Sequence, residues 1–294
     1  HVEAVRRQLE LGPVVRRGLG AGLGRLEVGV PVHRGHAEWI ELCELLRIPV
    51  TPIGNGQTLP EMDHMVERGT FEQAPGGFLQ PRTPWHLETT SPVPTGATPT
   101  LDGDRAEIRT RLDQPIPAAT PRIGQADLPY AGLRVIDLTA FWAGPYTTSM
   151  LSDLGADVVK VESIQRPDGM RFATTYRGEQ LWEWSHVFHG VNPGKRDLTL
   201  RLDHADGLSL LERMISEADI VIENFSARVM PAFGIDAAKV KALNPRAIFV
   251  RMPAFGLDGP WKDRPGFAMT VEQVSGLAWA TGYEDLPLVV RGVC

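Results

Sequence analysis

The sequence predicts an α/β fold: a Rossmann-like parallel sheet with helices on both faces over residues 131–294, preceded by a small α/β segment and a Pro-rich linker. Three observations predict it. From Leu133 to Glu162 the chain reads strand, tight turn, helix, strand. Further strand-like runs, "KRDLTLRL", "DIVIENF" and "RAIFVRM", then alternate with amphipathic stretches of helical length. That alternation and spacing build βαβ units, whose strands lie parallel. Upstream, the composition shifts to Pro, Gly and Thr, which separates a first segment from this one.

The first segment covers residues 1–102. "GLGAGLG", Gly18 to Gly24, fits neither GxGxxG nor GxxxxGK[ST], and no strand precedes it, so it reads as a flexible connection. "HAEWIELCELLRIPVTPIG" predicts a helix carrying Trp39, Ile40, Leu42, Cys43, Leu45 and Leu46, then a short strand over 48–53. "LPEMDHMVERGTF" predicts a second helix, with Pro60 near its start and Gly69 as its stop. The Pro-, Gly- and Thr-rich run after Phe71 suits extended or irregular backbone. Residues 103–130, charged and then rich in Pro and Ala, read as a linker with one helical turn.

In the third zone, strands are expected over 133–138 and 157–162, with a helix from about Pro145 between them. A long polar loop and the aromatic "LWEWSHVFHGVN" follow. "HADGLSLLERMISEA" is a helix started by Asp203 or His204, and "IDAAKVKALN" a shorter one capped by Asp236. "FAMTVEQVSGLAWATG" closes the pattern as a helix with small residues.

Composition narrows the functions. The chain has 294 residues, 43% of them hydrophobic, enough for one large or two modest cores. A net charge of −6, from 30 basic and 36 acidic residues, argues against general nucleic-acid binding. No apolar run reaches the roughly 20 residues that cross a bilayer. Cys43 and Cys294 form neither a metal spacing nor a disulfide framework, so a cytoplasmic home is the default. The chain opens on His1 and closes on "PLVVRGVC", which predicts a longer parent protein.

Ligands of parallel sheets bind beyond the carboxyl ends of the strands. There the sequence places "TAFWAGP", "VESIQRPDG", "ENFSA" and "MPAFGLDGP". Gly144 allows close approach to the backbone, and Pro145 suits a first helical turn. The helix start attracts an anion such as a phosphate. Glu162 mimics the ribose-binding acid of a NAD site, the best support for a NAD-dependent oxidoreductase, though the dinucleotide glycines are missing. The commoner role for Glu162 is to end a strand, and for Asp137 to cap its turn. His186 and His189 lack further ligands for zinc, Cys294 has no identifiable histidine partner, and "LWEW" suits a core or an interface.

"GLRVIDLT…AGP…LSDLGADVVKVE", "GKRDLTLRLD", "ADIVIENF", "LNPRAIFVRMPAFGLDGPW" and "GFAMTVEQVSGLAWATG" follow one another in the order and spacing of class III CoA-transferases, the CaiB/BaiF family. The resemblance covers nearly all of 131–294. Residues 1–102 resemble the C-terminal part of a family member. The chain thus reads as the end of one copy, a linker, and the N-terminal CoA-binding half of a second copy.

The resemblance implies CoA transfer from an acyl-CoA donor to a carboxylic acid through an aspartyl-CoA thioester, with no metal and no redox cofactor. It implies acyl-CoA and acid as partners, and an interlocked homodimer or internal pseudo-dimer of the parent. It places the catalytic aspartate just after Cys294, so no residue of this chain is assigned as nucleophile. By position it carries CoA contacts onto Trp142, Ala143, Gly144, Pro145, Arg171, Lys195 and the turn Asn224, Phe225, Ser226. Ser163, Ala232 and Pro253 depart from basic residues of some members; Arg228 and Arg251 lie near enough to compensate. Where racemases of the family carry their histidine and aspartate, this chain has Phe267 and Ala268, which cannot move a proton. A non-catalytic acyl-CoA-binding module stays open as the alternative.

Overall fold

The computed structural model describes residues 35–115 and 128–282. The glycine run at 18–24, the end of the linker reading and Cys294 lie outside them. The chain divides into two compact units, 1–48 and 49–294. In the first, helix α1 (His36–Leu45) starts at Gly35, whose N–H donates to Glu38 Oε2 at 3.2 Å.

The second unit opens with 49–54 in no strand or helix, a departure from the expected 48–53 strand. Its polar groups are met by a helix instead: Thr51 Oγ1 donates to Thr270 O (3.0 Å) and Gly54 N to Gln273 O (2.8 Å). The single helix expected from Leu59 is broken. A 3₁₀ turn, Leu59–Glu61, meets helix α2 (Asp63–Glu67) at Met62, whose extended backbone (ψ 132°) interrupts the helical path. Residues 71–81, expected extended or irregular, form an antiparallel hairpin of β1 (Phe71–Gln73) and β2 (Leu79–Pro81). In the linker, helix α3 (Arg105–Leu112) is longer than one turn and buries no residue.

The main sheet follows the predicted alternation. Strands β3 (Arg134–Asp137) and β4 (Asp157–Glu162) flank α4 (Ala143–Asp153). Helix α5 (His186–Val191) leads to β5 (Arg196–Thr199), and α6 (Ala205–Glu217) to β6 (Ile220–Glu223). Two short helices, α7 (Val229–Ala232) and α8 (Ala237–Leu243), precede β7 (Ile248–Arg251). The expected last helix is two, α9 (Ala268–Val274) and α10 (Leu277–Ala280), because Gly276 sits at φ +84° between them.

All pairings of this five-stranded sheet are parallel, in the order β5-β4-β3-β6-β7. The two faces alternate along each strand. Val135, Val158 and Ile222 point to the side where Leu151 of α4 packs. Ile136, Val161 and Val221 meet Leu211 and Ile215 of α6 and Val240 of α8 on the other. Leu211 and Ile215 are wholly buried; each such side chain contributes about 1.5–3 kcal/mol of burial. The start of α6 is capped by His204, which accepts from Asp206 N (3.3 Å), and Asp236 caps α8 through Lys239 N (2.8 Å). At the far end of α6, Asn244 donates to the carbonyls of Ile215 (3.2 Å) and Ala218 (2.8 Å).

Residues 49–68 share a core with the far end of this lobe. Leu59, Met62 and Met65 pack on Phe255, Trp261 and Val274. His64 is buried, stacks on Trp261 with ring centroids 5.1 Å apart, and accepts from Trp261 N (3.2 Å). Arg68 pairs with Asp258. The unit that holds the sheet therefore begins at Pro49, where the sequence reading drew a break at 102/103. The reason is apolar surface: α2 and the turn before it carry enough to seat themselves on Trp261.

Candidate ligand site at the sheet's carboxyl edge

The chain runs outward from β3 through β4 to β5, then returns to lay β6 and β7 on the other side of β3. The reversal falls between β3 and β6, and such sheets bind ligands outside the carboxyl ends of the strands at that point. The turn 138–142, the start of α4 and the turn 224–227 border it.

The turn after β3 is held at successive residues. Lys160 Nζ donates to Thr139 O (2.8 Å). The Asn224 amide pairs with Ala140 as a backbone would: Oδ1 accepts from Ala140 N (2.8 Å) and Nδ2 donates to Ala140 O (2.7 Å). Asp168 accepts from Phe141 N (3.1 Å), from Met170 N (3.0 Å) and from Lys160 Nζ (3.1 Å). Phe141 lies at φ +66°, a left-handed conformation that a bulky residue adopts only when its surroundings impose it. Its ring meets Phe267 edge-on at 5.2 Å.

Beneath the turn, Asp137 is fully buried at the end of β3. It accepts from Thr139 N (2.9 Å), as a turn cap does, and from Thr139 Oγ1, Thr148 Oγ1 (2.6 Å) and Lys195 Nζ (3.0 Å). Burial pushes its carboxyl up, but Lys160, Lys195 and the hydroxyls outweigh burial and hold it below the ordinary carboxylate range. Lys195 also donates to Pro145 O (2.9 Å) and Asn192 Oδ1 (2.8 Å), which accounts for all three ammonium protons. Burial lowers its pKa against the pull of Asp137.

A second cluster lies under β4 and β5. Arg171 donates from Nε and Nη2 to Glu162 (3.0 and 2.6 Å), from Nη2 to Asp197 (3.0 Å), and lies over the Phe188 ring at 3.8 Å. Glu162 also accepts from Asp168 N (2.7 Å). Burial alone would raise Glu162, yet these donors bring it down to about 2, while Asp197, desolvated and facing Glu162, rises to about 6. On the other flank Glu223 is fully buried, pushed up by burial, and accepts from Phe225 N and Arg251 Nε (both 2.7 Å).

The structure thus brings Trp142, Ala143, Gly144 and Pro145 beside Asn224, Phe225 and Ser226 at the point of reversal. Trp142 and Ala143 are exposed. Gly144 is buried for a reason that the sequence did not carry: a Cβ there would collide with the Thr139 side chain. Phe225 is half-buried against the core below α6. Lys195 and Arg171 sit beneath the rim and spend their donors on carboxylates and carbonyls. Glu162 is likewise committed to Arg171, and Arg251 to Glu223, whereas Arg228 is exposed. His186 and His189 sit exposed on α5.

Lys160, Asp168 and Glu223 escaped the sequence reading. One signal was present: "DVVKVE" alternates, so Lys160 shares the inward face of Val158, and a lysine there must find buried acceptors.

Comparison with known proteins agrees with this architecture. The sequence profile of CoA-transferase family III matches residues 130–293. Succinate–glutarate CoA-transferase of Agrobacterium fabrum is 36% identical over 170 residues, which are 56% of this chain and 42% of that protein. The alpha subunit of succinyl-CoA–L-malate CoA-transferase of Chloroflexus aurantiacus is 34% identical over 206 residues, 69% of this chain and 43% of the subunit. A crystal structure of a CaiB/BaiF family protein from Brucella suis superposes with a TM-score of 0.51 at 34% identity, covering 57% of this chain and 44% of that one. The chain spans less than half the length of these relatives. With a doubly wound parallel sheet and a match over 130–293, the chain belongs to CoA-transferase family III.

Proposed function

We propose that this chain binds a CoA thioester in the crevice between β3 and β6, and that its parent protein moves CoA from an acyl-CoA to a carboxylic acid. The observation that carries this reading is the convergence of the turn 139–145 with the turn 224–226 in a member of CoA-transferase family III. Trp142 and Ala143 offer exposed surface to the ligand, and the first turn of α4 offers backbone N–H groups and a dipole to its phosphates. Lys195 supports the start of α4 from below through Pro145 O, and Arg171 holds Glu162, which in turn accepts from Asp168 N.

The chemistry needs a carboxylate nucleophile and donors for the developing oxyanion. In the aspartyl-thioester route, an aspartate attacks the acyl carbonyl and releases CoA thiolate, leaving a mixed anhydride. The thiolate then attacks the aspartyl carbonyl and expels the acid; an acceptor carboxylate reverses both steps. The resemblance puts that aspartate beyond Cys294, so the 294-residue chain binds CoA without turning it over. In the same reading the parent is a cytoplasmic tandem fusion in which two copies pair internally, the linker raising their mutual effective concentration.

Thermal unfolding with added ligand tests this. CoA or ADP raises the midpoint in proportion to the logarithm of free ligand over its Kd, and NAD does not. Protection by NAD with none from CoA would return the site to the oxidoreductase reading. Trapping an aspartyl-CoA adduct on this chain by mass spectrometry would refute the missing nucleophile.

A further inference from the structure

The geometry points to a three-point clamp: Lys160, Asp168 and the Asn224 side chain are positioning residues that fix the backbone of Thr139, Ala140 and Phe141 for a ligand they do not touch. The inference rests on the CoA reading above for the ligand's identity. It gives a role to Lys160 and Asp168, and it moves Asn224 from ligand contact to scaffold.

Three observations carry it. First, the acceptors and donors are consecutive along the backbone but the clamp residues are not. Lys160 comes from β4, Asp168 from the loop after β4, and Asn224 from the end of β6, 84 residues from Ala140. Second, the Asn224 amide accepts from Ala140 N and donates to Ala140 O, so the turn fixes the orientation of this side chain and the side chain fixes the turn. Third, the Lys160–Asp168 pair is 1% exposed on each side. A buried ion pair is a poor source of stability compared with apolar packing. Its value lies in holding acceptors and donors that apolar residues could not supply.

What the clamp holds is a strained turn. Phe141 takes φ +66°, and the next residues, Trp142 to Gly144, begin α4. Gly169 leaves room for the Phe141 ring, since a Cβ there would stand 2.8 Å from its Cζ. Released, Phe141 would relax to a negative φ and swing the first N–H groups of α4 away from the crevice. Preorganised donors are worth more to a bound anion than donors that must reorganise on binding.

The test uses the 294-residue chain, CoA titration by calorimetry, and amide hydrogen exchange at Ala140 and Phe141. Asp168→Asn and Asn224→Ala are expected to weaken CoA binding at least tenfold and to speed exchange at Phe141 or Ala140 at least tenfold. Asn244→Ala, which removes bonds to Ile215 and Ala218 away from the crevice, controls for lost stability and should leave the CoA Kd within twofold. If Asp168→Asn does not fold, Asn224→Ala carries the result alone. Wild-type CoA affinity in a folded clamp variant whose Ala140 or Phe141 amide exchanges faster would overturn the positioning role. Unchanged exchange in a folded variant would overturn the clamp itself. A wild-type chain that ignores CoA would sink the CoA reading, while the exchange data would still judge the clamp.

Discussion

Single residues decide this site through buried charge. Lys160 is 1% exposed, and its ammonium donates to the carboxylate of Asp168 and the carbonyl of Thr139. Lys160→Met should therefore cost about 3–5 kcal/mol, because Asp168 is left buried and unpaired. Lys160→Met with Asp168→Leu should recover a good part of that loss in denaturant midpoint, and no recovery would show that the cost is steric. A second residue-scale test is pH. Asp197 titrates near 6 in the folded chain against an ordinary 3.8, so its contribution is present below 3.8 and lost as pH rises through 6. Glu162 runs the other way: its contribution is present above 4.5 and lost as pH falls toward 2. Between pH 4.5 and 6.5 Asp197 alone sets the slope of this pair. The midpoint of Asp197→Asn, relative to the unmodified chain, should climb across that window; a constant offset would contradict the assignment.

Among the elements, the docked segment 49–68 is the one whose hold can be weighed. Trp261 is 4% exposed and stands between Leu59, Met62, Met65 and the stacked His64. Trp261→Ala should cost about 3–5 kcal/mol, read by chemical denaturation. It should also free Met62 and Met65 to peroxide oxidation, and persistent protection of both would mean that the segment holds without Trp261. Burial and then Arg68 lower the His64 pKa, so the ring is neutral when it accepts from Trp261 N. Its contribution is complete above 6.5 and fades as pH drops below that value, since the unfolded ring takes up a proton that the folded one refuses.

For the molecule as a whole, the exposed linker helix is the weak point. No residue of α3 is buried, and Arg105, Arg109 and Arg111 offer trypsin three sites on it. Limited proteolysis should cut there before it cuts the sheet. Because 49–68 packs on Phe255, Trp261 and Val274, the upstream piece should co-elute with the downstream piece on gel filtration after the cut. Separate elution would show that the docking fails without the covalent link, and with it the second unit's start at Pro49.

The sequence by itself determined the βαβ order, the cap at Asp236, the pair Asp203 or His204 as the start of α6, and the turns that follow β3 and β6. Each depends on neighbours in the chain: apolar period, a capping side chain next to its helix, the turn after a strand. The breaks at Met62 and Gly276, the hairpin at 71–81 and the seating of 49–68 depended on surfaces brought from elsewhere, so local pattern pointed past them. The same holds for the chemistry beneath the crevice. Lys195 meets Asp137 across 58 residues of sequence, and Asn224 meets Ala140 across 84. Which acceptor a buried amine or amide finds is set by parallel strand order, because only the order β4-β3-β6 brings these loops side by side. Tertiary structure therefore decided that Lys195 and Asn224 turn inward to backbone carbonyls and Arg171 to carboxylates, while the turns that follow β3 and β6 were already legible from their place after each strand.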